Sequence, residues 1–311
     1  MGRIVLGSVM HLLRLGAAYF AVQAAAGLLW WVLVFTVPLV REATLGSLDP
    51  VIVAVFDIPL FVIESAVAGF GVRAAAAVST GWTVIVAVVL ASYATITGEA
   101  GWGVLAMGAA TAAFPAALCA VLLGRIPTEL ILRGPFAFRP ARRADSANHV
   151  ATTFGQLVVF WGFFLVVVPT AISALEQRWN VALPFPPLAA GAGAVILVLA
   201  SVLGVASAVA MSTKGEGTPL PAAMPNRLVI AGPYRWVRNP MALAGIAQGA
   251  AIGLILQSWL VVAYALAGSL FWNYAIRPLE ESDLKQRFGE DFERYREAVR
   301  CWIPGTPCAK T

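Results

Sequence analysis

Two polar groups flank a long uncharged stretch of this chain, and they hold the side chains best suited to chemistry. The candidate side chains are Arg235, Arg238, Asn239, Glu280 and Glu281. No charged residue lies within 239–276, which is enough chain for two short membrane spans joined by a turn near 257–258. Such a hairpin returns both groups to the same edge of the membrane. There, guanidinium and amide donors would face carboxylate acceptors, a set suited to a ligand with charges of both signs.

The composition also indicates a membrane protein. The chain has 311 residues, of which 60% are apolar and 12% charged, and its mean hydropathy is +0.82. A soluble protein cannot bury that much apolar surface, so we expect lipid to be its solvent. The net charge of +5 does not indicate nucleic acid, because Lys and Arg are spread over several short loops. The three cysteines lack CxxC spacing, so we expect neither a metal site nor a disulfide framework.

The apolar runs predict an all-α, polytopic membrane protein with about eight transmembrane helices, since lipid offers no partner for free backbone groups. The predicted spans are roughly 15–40, 51–72, 81–97, 102–123, 151–175, 188–211, 241–257 and 259–276. The predicted domains are an N-terminal four-span module at 1–124, a basic cytoplasmic loop at 125–150 with five arginines, and a second membrane domain at 151–311. The second domain contains the helical hairpin at 241–276 and a C-terminal tail at 277–311. Pro38, Pro59 and Pro169 predict kinks in or near their spans.

The positive charges predict the orientation. With both termini in the cytoplasm, only Arg41 and Arg178 of the 21 Lys and Arg fall outside, which leaves 21 − 2 = 19 inside. We therefore expect an integral protein of the plasma (inner) membrane whose candidate site faces the cytoplasm. The apolar run after Arg14 continues to Val40, too long for a cleaved signal peptide, so it predicts a retained first span.

The tail predicts an amphipathic cytoplasmic helix. Its large apolar residues recur at steps of three and four: Leu284, Phe288, Phe292, Tyr295, Val299 and Trp302. Gly289 interrupts the pattern, which predicts two short helices in place of one. Two roles are compatible with this pattern, a helix lying on the membrane surface and a lid over a ligand pocket.

The order of the motifs in the last third of the chain resembles that of a known protein family. The segment reads KGEGTP, LVIAGPYRWVRNP, the hairpin, and RPLEESDLKQRFGEDFERYREAVRCWIP. It resembles the isoprenylcysteine carboxyl methyltransferase and phospholipid methyltransferase superfamily, whose members carry a GPYRxxRHP-type segment, a helical hairpin, a Glu-Glu pair and an FGxxYxxYxxxVxRWIP-like tail. The residues that match are Gly215, Gly217, Thr218, Pro219, Gly232, Pro233, Tyr234, Arg235, Arg238, Pro240, Glu280, Glu281, Phe288, Gly289, Tyr295, Val299, Trp302, Ile303 and Pro304. Asn239 replaces the usual His, and Ala242 replaces the usual Tyr, with Gly245 one place late.

The resemblance implies a cofactor and a reaction. The cofactor is S-adenosylmethionine, and the GxGxxG fingerprint of soluble enzymes is absent. The implied cofactor-binding residues are Gly232, Pro233, Tyr234, Arg235, Arg238, Asn239, Glu280 and Glu281, with catalytic roles for Arg238, Asn239 and Glu281. The carboxylates would accept from the ribose and ammonium, and Arg238, Asn239 and backbone amides would donate to the carboxylate. The implied reaction is methyl transfer to a lipophilic acceptor: a lipid or isoprenoid carboxylate, or a small thiol.

Two other functions remain open from the sequence. Sterol-type membrane reductases that use NADPH resemble this tail, and Arg227, Arg235 and Arg238 could bind a phosphate. The non-enzymatic alternative is a transporter or scaffold built on the first four spans, with a degenerate methyltransferase end; Ala242, Asp57 and Glu64 support it. Small residues at 245, 249, 253 and 268 are compatible with a homodimer or with helix packing inside one chain.

Two carboxylates lie inside the second predicted span. Asp57 and Glu64 are seven residues apart, so in a regular α-helix they share one face. Intramembrane carboxylates are costly and tend to line a cavity or to pair. We therefore weigh an acceptor pocket or proton route against buried interhelical hydrogen bonds.

Overall fold

The computed structural model describes residues 2–128, 130, 146–218 and 224–305, and of residues 2–9 and 146–149 it describes the backbone. Most of the predicted basic loop lies outside the described residues, including its arginines at 133, 139, 142 and 143. Pro219 of the KGEGTP motif also lies outside them.

Twelve α-helices occur in the described part of the chain. They are α1 (Gly2–Thr36), α2 (Pro38–Leu45), α3 (Pro50–Asp57), α4 (Glu64–Gly69), α5 (Arg73–Thr97), α6 (Gly101–Leu123), α7 (Ser146–Trp161), α8 (Val168–Arg178), α9 (Ala189–Lys214), α10 (Pro240–Ile255), α11 (Trp259–Phe271) and α12 (Arg277–Ala298). Among the described residues, seven continuous helical stretches are long and apolar enough to cross a membrane, and α10 is a shorter apolar helix. The prediction of an all-α membrane protein with about eight spans is confirmed.

In the described part of the chain, three π-helical segments each join two α-helices into one continuous helix. Ile58–Ile63 joins α3 to α4, Gly162–Val167 joins α7 to α8, and Trp272–Ile276 joins α11 to α12. Each has a proline nearby: Pro59 lies inside the first, and Pro169 and Pro278 follow the other two by two residues. Proline lacks an N–H and crowds the carbonyl four residues back, and a wider turn relieves that crowding.

The first π-helical segment changes the register between Asp57 and Glu64. A π-helix needs more residues per turn than an α-helix, so residues seven apart no longer share a face. Asp57 is accordingly buried, whereas Glu64 is half-buried. The single-face expectation is wrong because it assumed an unbroken α-helix.

The chain forms two compact units, and the first comprises Met1–Pro127 and Leu175–Val181. Its core contains edge-to-face contacts of Phe114 with Tyr19 and Phe20. Arg178 belongs to this unit, and its guanidinium donates to the carbonyls of Thr95 and Ile96. These are carbonyls at the C-terminus of α5, which have no partner within their own helix.

The second unit comprises Thr128–Ala174 and Ala182–Thr311, and α9, α10 and α11 pack closely within it. The α10–α11 turn falls at the predicted place, with Gln257 in the left-handed region (φ 51°) and the Ser258 hydroxyl capping α11. A Cβ on Gly249 would meet Ala265, and one on Gly253 would meet Val262. These two glycines therefore pack helices within the chain, while the space beside Gly245 and Gly268 is open.

The last span continues without a loop into the charged tail. The helical stretch from Trp259 to Ala298 has 40 residues, far more than a bilayer requires, and it is kinked at Gly289. Charged residues begin at Arg277, so we expect the membrane span to end near Ile276 and α12 to lie outside the hydrocarbon. Gly289 (φ 54°, ψ −127°) divides α12 into two halves, as predicted.

The apolar face of the tail packs against protein. Its buried residues Phe292, Tyr295 and Val299 form a cluster with side chains from the segment before the GPYR motif and from α12 itself. These partners are Leu228, Ile230, Leu284 and Phe288. The cluster fixes the second half of α12 against the loop that carries the candidate residues.

Candidate functional site

The candidate residues before the hairpin lie on a short loop, residues 232–239, which we call the motif loop. It begins with a 3-10 turn, Gly232–Arg235, and ends at Asn239, the residue before Pro240 at the start of α10. Gly232 has a φ of 57°, a conformation that glycine adopts without strain. Proline is favoured at the first helical position because its missing N–H would be unpaired there anyway. The sequence GPYRWVRNP thus encodes a tight turn followed by a helix start.

The KGEGTP segment forms an ordered turn beside the motif loop. The Gly215 carbonyl accepts from the amides of Asn226 and Arg227 at 2.7 and 3.1 Å, and Asn226 Nδ2 donates to the Glu216 carbonyl. Gly217 lies so close to Pro225 that a Cβ there would clash with its backbone. This packing brings the buried Thr218 to the wall of a cavity.

The structure brings four candidate residues together around this cavity, which has a volume of about 60 Å³. They are Tyr234, Arg238, Asn239 and Glu280. Glu281 contacts Arg238, whereas Gly232, Pro233 and Arg235 do not line this cavity. Apolar walls come from Met211, Leu228, Val229, Leu284 and Phe288.

Arg238 is the most incompletely paired group at the site. Its side chain is 13% exposed, and its Nη2 lies 3.4 Å from Glu281 Oε1. Its Nε and Nη1 are buried without a hydrogen-bond partner among the described residues. A buried N–H without a partner costs about 1–3 kcal/mol, more when it is charged. A ligand with a carboxylate or another anionic group would remove this cost.

The two glutamates differ in environment. Glu281 Oε1 lies 3.4 Å from Arg238 Nη2 and 3.9 Å from Arg277 Nε, so two guanidinium groups offset the negative charge of Glu281. Burial, followed by the neighbouring charges of Glu281 and Asp283, raises the pKa of Glu280 to about 7. Near neutral pH, Glu280 can therefore exist in either protonation state, and a positive or hydroxyl-bearing ligand favours the ionised one. Burial also raises the pKa of Tyr234, which keeps this phenol neutral.

Residues 299–305, which we call the strap, are tied to the motif loop. The Arg238 amide donates to the Arg300 carbonyl at 3.0 Å, and the Gly305 amide donates to the Trp236 carbonyl at 3.3 Å. Just before the strap, the Tyr295 hydroxyl donates to the Tyr234 carbonyl at 2.7 Å. Sequence reasoning gave Tyr295 only an apolar role, although its hydroxyl on a buried helix face required a partner.

A second space adjoins the motif loop and is almost wholly apolar. It has a volume of about 380 Å³ and is lined by Leu203, Pro233, Trp236, Val237, Leu243 and Pro304. Pro233, Trp236 and Val237 thus line this groove, while Tyr234, Arg238 and Asn239 line the polar cavity. One short loop therefore borders both spaces.

Asp57 and Glu64 belong to the first unit, whereas all the other candidates belong to the second. The Asp57 carboxylate accepts from Trp31 Nε1 and from Trp82 Nε1, each at 2.9 Å. This geometry fits the alternative of buried interhelical hydrogen bonds. Neither carboxylate lines the polar cavity or the apolar groove.

Comparison with known proteins identifies the segment that carries the site. Residues 188–291, about a third of the chain, match the family model described as phospholipid methyltransferase. No curated protein and no solved structure matches the chain. The matched segment contains α9, the motif loop, the hairpin and both glutamates. Residues 188–291 are therefore similar to the phospholipid methyltransferase family, which is part of the isoprenylcysteine carboxyl methyltransferase-like group of membrane methyltransferases.

Proposed function

We propose that this protein transfers a methyl group from S-adenosylmethionine to a lipophilic acceptor at the cytoplasmic face of the plasma (inner) membrane. The acceptor classes are a lipid or isoprenoid carboxylate and a small thiol. One observation carries the proposal: Arg238, with two guanidinium nitrogens unpaired among the described residues, and Glu280 line one cavity, and both lie in the matched segment. The uneven distribution of Lys and Arg, with only Arg41 and Arg178 on the outer side, supports cytoplasmic termini.

The residues fit the groups of the proposed cofactor. Arg238 offers Nε and Nη1 to the carboxylate, and ionised Glu280 accepts from the ammonium or the ribose hydroxyls. Glu281 holds the Arg238 guanidinium from its other side. The bound cofactor supplies a methyl group activated on a sulfonium. The chain's own contribution is to bind, orient and exclude water, which suits a displacement in which charge disperses.

The apolar groove suits the lipophilic part of the acceptor. Leu203 and Leu243 lie on the membrane helices α9 and α10, so the groove is continuous with spans that face lipid. Its other wall is the motif loop, whose Arg238 lines the polar cavity. A chain lying in this groove would hold its polar end close to the cofactor groups. A carboxylate or thiolate end requires no strong base for methylation.

Ligand binding to the purified, full-length protein in nanodiscs tests the proposal. S-adenosylmethionine, its demethylated product S-adenosylhomocysteine, and NADPH are titrated in parallel by calorimetry. We expect the first two to bind, and Arg238→Ala and Glu281→Ala to weaken binding tenfold or more. Arg294→Ala is the matched control, since Arg294 is exposed and, among the described residues, forms its ion pair with exposed Asp291 on the same helix.

Each other outcome points to one of the alternatives. Binding of NADPH alone would contradict methyl transfer and support the reductase. Absence of binding by all three ligands would support a transporter or scaffold. If binding is found, lipid extracts and small thiols are screened for methyl acceptance with labelled cofactor.

A further inference from the structure

The cavity residue Asn239 contacts a cysteine of the strap. Asn239 Nδ2 lies 3.7 Å from Cys301 Sγ, within the range of a hydrogen bond to sulfur, and the thiol is 8% exposed. Asn239 lines the polar cavity, whereas Cys301 is not among the residues that line it. Both positions differ from the motif pattern, which has His and Arg there.

Backbone contacts place these two side chains next to each other. The Arg238 amide donates to the Arg300 carbonyl at 3.0 Å. Asn239 directly follows Arg238 and Cys301 directly follows Arg300, so this hydrogen bond brings the two residues close together. The Gly305–Trp236 and Tyr295–Tyr234 hydrogen bonds tie the same segments at either side. These backbone bonds do not involve the side chains of Asn239 and Cys301, so we expect the backbone pairing to survive substitution of either residue.

An amide side chain has two different ends, a donor and an acceptor. At Asn239 the donor end is directed to sulfur, so the oxygen is the end left for a ligand. We propose that Cys301 is a positioning residue that orients the Asn239 amide, so that Asn239 presents Oδ1 to the bound methyl donor. This inference rests on the proposed function. It reverses the role predicted from the sequence, in which Asn239 donates to the ligand carboxylate.

The proposed orientation divides the ligand's groups between the two sides of the cavity. Arg238 takes the anionic group, because its unpaired N–H groups can only donate. Asn239 Oδ1 and ionised Glu280 can only accept, so they take N–H or O–H groups of the ligand. A thiol is a weak donor and does not compete strongly for Oδ1. A serine hydroxyl at position 301 would donate to Oδ1 and allow the amide to turn around.

Binding of S-adenosylhomocysteine to full-length variants in nanodiscs tests this inference. We expect Cys301→Ala and Cys301→Ser each to weaken binding about fivefold to tenfold, the effect of one hydrogen bond. Asn239→Asp keeps an acceptor and loses the donor, whereas Asn239→Leu loses both. We expect Asn239→Asp to bind at least fivefold more tightly than Asn239→Leu.

A double variant separates orientation from a merely structural effect. A carboxylate has no donor end to turn toward the ligand, so Asn239→Asp in the Cys301→Ser background should bind more tightly than Cys301→Ser alone. A residue that only supports packing would give no such rescue. Cys119→Ser, at a cysteine of the first unit, is the thiol control and should match the wild type.

Three results would overturn the inference. Cys301→Ala binding as the wild type does would show that the thiol positions nothing. Asn239→Asp losing as much affinity as Asn239→Leu would show that the donor end faces the ligand. Loss of affinity with an equal fall in thermal stability, and no rescue in the double variant, would show a structural role. Absence of binding by the wild type would instead remove the proposed function, and this inference with it.

Discussion

Ligand binding should depend on pH through Glu280. The pKa of this carboxyl is raised to about 7, chiefly by burial. The ionised fraction is then about a tenth at pH 6 and about nine tenths at pH 8. If the ionised form accepts from the ligand, the affinity for S-adenosylhomocysteine rises about tenfold between these pH values. Calorimetric titration in nanodiscs at half-unit steps measures this rise.

The effect on stability has the opposite sign. The folded-state pKa of about 7 lies above the ordinary value of 4.5, so between these values the folded chain binds more protons than the unfolded chain. This contribution to the free energy of unfolding is fully present below about pH 4.5 and is lost as pH rises through about 7. A ligand that pairs with the carboxylate offsets this loss. Its thermal stabilisation of the protein should therefore grow over the same window.

Two glutamine variants identify the group responsible. Glu280→Gln should flatten the pH dependence of binding, because it removes the titrating carboxyl while keeping its size. Glu290→Gln, at an exposed position of the same helix, should keep the tenfold rise. An affinity that falls as pH rises, or a rise that survives in Glu280→Gln, would refute the reasoning.

Two further substitutions test the hydrogen bonds of Tyr295 and Asp57. Tyr295→Phe removes the donor to the Tyr234 carbonyl, and we expect a loss of about 1–3 kcal/mol in the free energy of unfolding and weaker cofactor binding. Thermal-shift and calorimetric data would contradict this if both stayed unchanged. Asp57→Asn replaces one of the two oxygens that accept from the Trp31 and Trp82 indoles with an NH₂ group, which cannot accept. We therefore expect a comparable loss in the free energy of unfolding, with methyl transfer retained. Lost turnover in a stably folded Asp57→Asn protein would instead support a proton route.

The hairpin and the motif order were predictable because they depend on local properties. Apolar runs give the spans, and the absence of charge within 239–276 gives the hairpin with its turn at Gln257 and Ser258. Gly289 breaks the tail because its φ is positive, a conformation for which glycine is the usual residue. These features need no knowledge of distant contacts.

The contacts that build the site were not predictable from one sequence. The pairing of Arg238 with Arg300, and of Asn239 with Cys301, joins residues about 60 positions apart without any shared pattern. The π-helical turn after Asp57 is equally hidden, since Pro115 lies inside α6 without one. Proline alone therefore does not indicate where a helix widens, and the face of Glu64 could not be derived from its spacing.

Helix α11 continues through the π-helical segment into α12 without a loop, so a tilt of the last span would move Glu281. Glu281 lies on the same rod as Trp259, about 33 Å away at 1.5 Å per residue, with no loop between them. A membrane helix tilts to match its apolar length to the surrounding bilayer. A change in tilt of about 5° displaces the far end of such a rod by about 3 Å, enough to separate Glu281 from Arg238. If the helix tilts as a rigid body, lipid acyl-chain length would change the distance between Glu281 and Arg238, so the site would respond to membrane thickness.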